Sequence, residues 1–148
     1  MPSKRQRRQF LYDLAQKIIE LRLATRRACM CEGKDQAKKN TLSLKTKVLF
    51  LIDKGCSPRE IIASLVIAKT NLALLTKEMA AEGLITKTKG TLDRREVCYS
   101  LTDNGKKHLN ERLFIIEEGV KSGFVTEDDY LEALALLDKA AGIINGLR

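Results

Sequence analysis

The 148-residue sequence predicts a mainly α-helical protein with one small β-hairpin. Three observations support this fold class. Apolar residues recur at helical spacing over most of the chain. The spacing becomes alternating and strand-like only between Gly83 and Leu101. A short, clearly capped helix and a longer helix stand just before that region, which is the layout of a helix-turn-helix.

The first predicted helix runs from Gln6 to Cys31. Its apolar residues recur at steps of three, four and seven, which places them on one helical face: they are Phe10, Leu14, Ile18, Leu21 and Ala28. The polar stretch of residues 31–40 breaks this pattern and is interpreted as a connector. A second helix is predicted to start near Ser43 and to end at Gly55.

The sequence Ser57–Glu60 gives the clearest helix start in the chain. It combines an N-cap serine, proline at the first helical position and glutamate at the third, which is a capping box. After a break at residues 66–69, a longer helix is predicted to end at Gly83. Its inward face is expected to carry Leu72, Leu75 and Met79.

The alternating segments on either side of residues 90–95 predict the hairpin. Helix returns with Thr102 as its cap, and a last helix starts at Thr126, with Asp129 three residues later. The order of elements is that of a winged helix-turn-helix framed by helices. Three segments follow: residues 1–40 as an N-terminal helix and connector, residues 41–102 as the winged helix-turn-helix lobe, and residues 103–148 as C-terminal helices.

The last helix is more apolar than one neighbouring helix usually covers. Either it pairs with a second subunit or it packs inside one chain, and this segment alone favours neither. The residues assigned to a dimer interface are Phe10, Leu14, Ile18, Leu134, Leu137, Ala141 and Ile144.

The formal charge of +8 is unevenly distributed. Residues 1–40 carry a net +7, residues 41–110 a net +5, and residues 111–148 a net −4. This segregation favours a surface for an anionic polymer over a charge that serves solubility alone. No apolar run is long enough for a membrane span, and the N-terminus lacks the features of a secretory signal. A cytoplasmic protein is therefore expected.

The sequence offers little for catalysis or metal binding. His108 is the single histidine, and neither a glycine-rich phosphate loop nor a nucleophile motif is present. The four cysteines lack the spacing of a metal site, and reduced thiols are expected. We therefore predict that the protein is not an enzyme and has no metal or cofactor. Cys98, on a predicted strand, is expected to be a small core residue.

With this order of elements, the segment "EGLITKTKGTLDRREVCYSLTDNGKKHL" resembles the MarR family of transcription regulators. Three parts carry the resemblance: Gly-Leu-Ile at residues 83–85, Asp-x-Arg at 93–95, and Leu-Thr-x-x-Gly at 101–105. The resemblance implies a homodimer whose interface is formed by the dimerisation helices of residues 1–40 and 103–148, and each subunit presents one winged lobe to duplex DNA. The operator would be pseudo-palindromic, with half-sites about one helical turn apart. Family members often respond to a small ligand, and many act as repressors.

The resemblance also assigns residues to the DNA interface. In the recognition helix these are Lys69, Thr70, Asn71, Leu74 and Lys77. Asn suits adenine, whereas Lys suits guanine or phosphate. Leu74 stands where the family often has a polar residue, so it either meets a thymine methyl or packs inward. Lysines assigned to phosphate contacts are Lys45, Lys47, Lys87 and Lys89. The basic cluster Lys4–Arg8 is interpreted either as a DNA contact or as a frayed end.

The wing supplies the remaining assigned residues. Arg95 matches the family arginine, which is expected in a minor groove, where negative potential is concentrated. Asp93 is expected to orient this guanidinium, and Arg94 is expected to contact a phosphate.

Two alternative functions remain open. One is an oxidant-sensing regulator, for which the candidate thiols are Cys29, Cys31 and Cys56, near arginines or a helix start. The other is a winged-helix module for non-specific DNA binding or protein assembly. The ratio of specific to non-specific DNA affinity distinguishes this second alternative from a regulator.

Overall fold

The computed structural model describes residues 3–28, 42–89, 97–121 and 126–146. It confirms the predicted fold class, six helices with a two-stranded antiparallel hairpin between the fourth and fifth. The elements are α1 (Lys4–Ala28), α2 (Leu44–Asp53), α3 (Pro58–Leu65), α4 (Lys69–Ala81), β1 (Ile85–Lys89), β2 (Val97–Leu101), α5 (Asp103–Lys121) and α6 (Glu127–Gly146). In the described ranges, no helix is both long enough and apolar enough to span a bilayer.

Side-chain caps define where the helices begin. The predicted capping box of α3 is present: the Ser57 hydroxyl accepts from the Glu60 N–H, and the Glu60 carboxylate accepts from the Ser57 N–H. The latter bond lowers the pKa of Glu60. Thr126 and Asp129 form the same reciprocal pair before α6. The start of α2 next to Ser43 is as predicted, and Ser43 caps the helix, because its hydroxyl accepts from the Thr46 N–H at 3.2 Å.

The basic cluster at the N-terminus forms the first turns of α1. Ser3 precedes it, and its hydroxyl accepts from the Gln6 N–H at 3.3 Å. The Gln6 side chain in turn accepts from the Ser3 N–H at 2.8 Å. This reciprocal cap holds Lys4–Arg8 in a helix, contrary to the frayed-end alternative.

The ends of α2 and α4 use the two glycines that the sequence predicted. Gly83 has a φ of +70°, its N–H donates to the Ala80 carbonyl, and the next N–H donates to the Met79 carbonyl. Gly55 ends α2 with the same pair of bonds. Both are Schellman motifs, which favour glycine because the backbone is left-handed there. The turn between α3 and α4 is also left-handed, but Val66 occupies it, with a φ of 52°.

The hairpin has an unbroken register from Ile85 opposite Leu101 to Lys89 opposite Val97. Directly opposed residues point to the same face of an antiparallel pair. Ile85, Lys87 and Lys89 therefore share a face with Tyr99, while Thr88 and Cys98 lie on the other. Cys98 is exposed on that second face, so the prediction that it is a core residue is wrong. Successive residues of a strand point to opposite faces of the sheet, and the pairing register decides which of the two faces is buried.

The core lies inside the winged lobe. Helices of the lobe, the hairpin base and α5 contribute to it. Its buried apolar residues are Val48, Leu49, Ile52, Ile61, Leu72, Met79, Leu84, Ile85 and Leu109. The predicted inward face of α4 is confirmed, with Leu75 packed at the edge of this cluster. Among the described side chains, those of α6 are all at least partly exposed, so α6 adds nothing to this core.

Candidate nucleic-acid interface

The helix α4 separates its residues into a buried face and an exposed face. Leu72, Thr76 and Met79 are buried on one side. The predicted base-reading residues all lie exposed on the rest of the helix: Lys69, Thr70, Asn71, Leu74 and Lys77. Leu74 is 61% exposed, which excludes the alternative that it packs inward. No side-chain hydrogen bond caps the start of α4 at Ala68, where the Asn71 N–H donates to the Ala68 carbonyl at 3.0 Å.

The hairpin is fixed to α4 by a hydrogen bond between two side chains. The Thr76 and Tyr99 hydroxyl groups lie 3.2 Å apart, where either can donate to the other. Since Tyr99 is opposite Lys87, the face of the hairpin that carries Lys87 and Lys89 is the face directed toward α4. Both lysines are exposed. The two elements thus bring four lysines to one side of the lobe: Lys69 and Lys77 from α4, and Lys87 and Lys89 from the hairpin.

A second set of bonds fixes the base of the hairpin to the ends of α4 and α5. The Thr102 hydroxyl donates to the Gly83 carbonyl at 2.6 Å and accepts from the Gly105 N–H at 3.0 Å. The Thr102 N–H donates to the Leu84 carbonyl at 3.0 Å. One threonine therefore caps α5, as predicted, and also ties it to the turn that follows α4. This junction sets the angle between α4 and the hairpin.

Lys45 and Lys47 are placed differently from the other lysines. Lys45 forms an ion pair with Glu82, beyond the C-terminal end of α4. Partial burial lowers the pKa of the adjacent His108, and the positive charges of Arg112 and Lys45 add to that effect. Lys47 is exposed at the rim of a cavity on another side of α2. The structure does not bring this pair together with the exposed face of α4.

The assigned wing residues lie outside the described residues. Asp93, Arg94 and Arg95 belong to the segment between Lys89 and Val97, which are paired with each other. Their roles therefore stay predictions.

Of the candidate redox thiols, Cys29 and Cys31 also lie outside the described residues. Cys56 is half-buried and packs against the core, and its N–H donates to the Leu51 carbonyl at the end of α2. Across the ranges that the structure describes, no three His, Cys, Asp or Glu residues are grouped closely enough to hold a metal ion.

The residues assigned to a dimer interface are all exposed in the single chain. Phe10 on α1 is 62% exposed, and Leu137 on α6 is 49% exposed. Further large apolar side chains on the same two helices are also exposed, namely Leu11, Ile19, Leu23, Leu131, Leu136 and Ile143. Such extended apolar surface is unusual on a monomeric protein and is typical of an interface.

An apolar cavity of about 530 Å³ lies between α1, α2, α3 and α5. Its described lining is formed by Thr25, Leu42, Thr46, Lys47, Phe50, Leu51, Ser64, Leu65, Leu113 and Ile116. Lys47 is the charged member of this set. The volume is in the range of small-molecule sites, and the lining is mainly aliphatic and aromatic.

The sequence alone did not identify Thr76 and Tyr99 as a positioning pair. A threonine on the inward face of a helix was the available signal, because a buried hydroxyl requires a partner. One partner is local, since the Thr76 hydroxyl donates to the Ala73 carbonyl at 3.2 Å. The second partner is 23 positions away on a strand, and only the packing of the hairpin on α4 shows which residue that is.

Comparison with known proteins supports the same interpretation. A family described as "Winged helix DNA-binding domain" matches residues 51–105, which include α3, α4 and the hairpin. No curated protein sequence is significantly similar to the chain.

Solved structures share the fold over most of the chain. Wild-type MarR from E. coli (apo form) has a TM-score of 0.61 at 18% identity, over 86% of this chain and 96% of that chain. YusO from Bacillus subtilis has a TM-score of 0.58 at 22% identity, over 95% and 99%. A mutant of E. coli MarR complexed with operator DNA has a TM-score of 0.58 at 18% identity, over 88% and 94%. The resemblance found in the sequence is thus confirmed in the fold.

Proposed function

We propose that this chain, which has the winged-helix fold of the MarR regulators, is a homodimeric regulator of transcription that binds a specific duplex operator. Its most economical mode of action is repression, in which the bound dimer occludes a promoter. The arrangement of α4 and the hairpin carries the proposal. The exposed face of α4 combines Asn71 and Thr70 with lysines, and the hairpin face directed toward it adds Lys87 and Lys89.

These residue types divide the work of DNA recognition. Lysines neutralise phosphates, which supplies affinity that depends on salt but not on sequence. Asn71 offers the paired donor and acceptor that match adenine in the major groove. Since Thr76 and Tyr99 fix the hairpin on α4, the two elements engage the duplex as one rigid unit. Arg95, at the wing, would extend the contact into the adjacent minor groove.

The exposed apolar surface of α1 and α6 supports the homodimer. A second copy of the chain covers this surface in the proposed assembly and places two winged lobes side by side. Two-fold symmetry of the protein then requires a pseudo-palindromic operator, with half-sites about one helical turn apart.

The cavity beside Phe50 and Leu113 supports control by a small apolar ligand. Its walls belong both to helices of the winged lobe and to α1 and α5. A ligand that binds only when these helices take one relative position would favour that position. In the dimer, this would change the distance between the α4 helices of the two subunits, and the affinity for DNA would change with that distance. An anionic group on the ligand could pair with Lys47 at the rim.

The proposal is tested by fluorescence anisotropy with the duplex upstream of the chain's own gene and a scrambled duplex, at two salt concentrations. The native chain is expected to prefer its own upstream duplex by on the order of a thousandfold. Arg95→Ala is expected to lose most of this binding, because the wing would no longer place a guanidinium in the minor groove. Lys139→Ala, on α6, is the matched control and should bind as the native chain does.

If both duplexes bind with equal affinity and Arg95→Ala binds as the native chain does, the proposal of a sequence-specific regulator is wrong. The basic face would then serve non-specific DNA binding.

A further inference from the structure

A large apolar side chain stands in the middle of the basic, polar face of α4. Thr70, Leu74 and Lys77 follow one another at steps of four and three, so they form one stripe along the helix. Leu72 and Met79 lie on the opposite side, in the core. Leu74 therefore occupies the outermost line of the helix, and it is 61% exposed there.

The surroundings of Leu74 indicate an anionic partner and not a protein surface. Lys69 and Lys77 lie on the same helix, and Lys87 and Lys89 lie on the hairpin face directed toward it. An apolar docking site for a protein would be expected to have large apolar neighbours, whereas Thr70 and Lys77, which flank Leu74 on this stripe, are polar. The occupant must therefore combine phosphate charge with a small apolar group.

Duplex DNA presents such a group in the major groove. The C5-methyl of thymine is the only methyl group among the base edges there, whereas the polar positions present donors or acceptors. A leucine on the outermost line of a recognition helix contacts the groove floor directly. The sequence of α4 contains neither arginine nor glutamine. Asn71 can therefore recognise the adenine of an A·T pair, and lysine is the residue of α4 that can recognise guanine.

We propose that Leu74 is a specificity-determining residue that reads a thymine methyl group in each operator half-site. This inference rests on the proposed function, because it requires α4 to enter a major groove. The chemical class of the ligand is duplex DNA with thymine at one defined position per half-site. Thr70, one turn earlier on the stripe, flanks the same contact.

Replacement of thymine by uracil tests this contact directly, because uracil removes the methyl group and keeps both the pairing and the minor groove. A duplex is first selected from a random pool by the full chain. Each thymine is then replaced in turn, in both half-sites, and the dissociation constants are measured by fluorescence anisotropy for the native chain, Leu74→Ala and Leu74→Met.

One thymine position is expected to weaken native binding about fourfold per half-site when its methyl is removed, since one buried methyl group contributes roughly 0.8 kcal/mol. Leu74→Ala should bind the thymine duplex more weakly and should not respond to uracil at that position. Leu74→Met keeps an apolar side chain and should retain most of the response. Because Leu74 is exposed, neither variant is expected to unfold.

Two results would overturn the inference, and they differ in what they say about the proposed function. If the selected duplex is preferred over scrambled DNA but no uracil replacement weakens binding, Leu74 does not read a methyl group and the regulator stands. The same holds if Leu74→Ala keeps the full uracil response. If selection enriches no sequence, the specific regulator is itself wrong.

Discussion

Gly105, in the first turn of α5, lies directly against the backbone carbonyl of Leu84, and a Cβ at this glycine would overlap the carbonyl oxygen. The same carbonyl accepts the Thr102 N–H, so it cannot turn away without losing a bond. The glycine of the Leu-Thr-x-x-Gly motif is thus required by the close approach of a helix to the start of a strand.

Gly105→Ala is expected to destabilise the protein by about 3 kcal/mol, because the added methyl group meets backbone and not a flexible side chain. Urea unfolding followed by circular dichroism measures the change. Gly142→Ala is the matched control, since nothing lies within 4 Å of a Cβ there. That control should be neutral or more stable by up to about 1 kcal/mol. Equal effects of the two variants would contradict the packing argument.

The bond between Thr76 and Tyr99 is expected to contribute about 1 kcal/mol of coupling energy. Thr76→Val and Tyr99→Phe, alone and combined, form the double-mutant cycle that isolates it. Each single variant should also weaken operator binding, because the hairpin is then free to change its angle to α4. If the double variant loses the sum of the two single losses, the hydroxyl groups are not coupled.

Val66→Gly is expected to stabilise the protein by about 1 kcal/mol. A β-branched residue in the left-handed region is strained, and this cost exceeds the extra unfolded-state entropy of glycine. Val66 is 89% exposed, so little packing is lost. Thermal unfolding of the native chain, Val66→Gly and Val66→Ala measures the change in stability. Alanine keeps most of the energetic cost of the left-handed conformation, so Val66→Ala should be stabilised less than Val66→Gly. A less stable glycine variant would mean that Val66 makes a contact in the assembly.

Leu137→Glu is expected to convert a dimer into monomers, because it buries a carboxylate in the proposed interface. Sedimentation equilibrium measures the change. Leu44→Glu is the control, since Leu44 is similarly exposed but lies at the start of α2. If the native chain sediments as a monomer, the apolar faces of α1 and α6 are not covered by a second subunit, and the proposed dimer is wrong.

The stability of the protein is expected to fall as the pH drops below about 6.5, in part through His108. Burial, Arg112 and Lys45 lower its folded-state pKa, and Glu111 and Glu82 oppose them. The unfolded chain therefore binds the proton first. The contribution of His108 is fully present above the unfolded pKa and is lost as the pH falls through the folded pKa.

Urea unfolding at about pH 7.5 and about pH 5.5 measures this dependence. His108→Gln removes the titrating group and should have a smaller stability difference between the two conditions than the native chain. If the stability difference of His108→Gln between the two pH values equals that of the native chain, titrating groups other than His108 cause the pH dependence.

Local signals in the sequence determined the helices, their caps and the hairpin of this protein. The Ser57 and Thr126 caps, and the ends at Gly55 and Gly83, depend on backbone groups within a few residues, so short-range chemistry is sufficient. Sequence spacing also separated the buried and exposed faces of α4, and the motif residues predicted the fold that the solved structures share.

Tertiary structure decided the features that depend on contacts between distant segments. The outward position of Leu74, the exposure of Cys98, the pairing of Lys45 with Glu82 and the Thr76–Tyr99 bond all depend on how the hairpin packs against α2 and α4. A helical or alternating pattern defines faces but does not say which element covers each face. Which element covers a face depends on burying apolar surface while giving each buried hydroxyl group a partner. Both conditions are met only when the whole core is assembled.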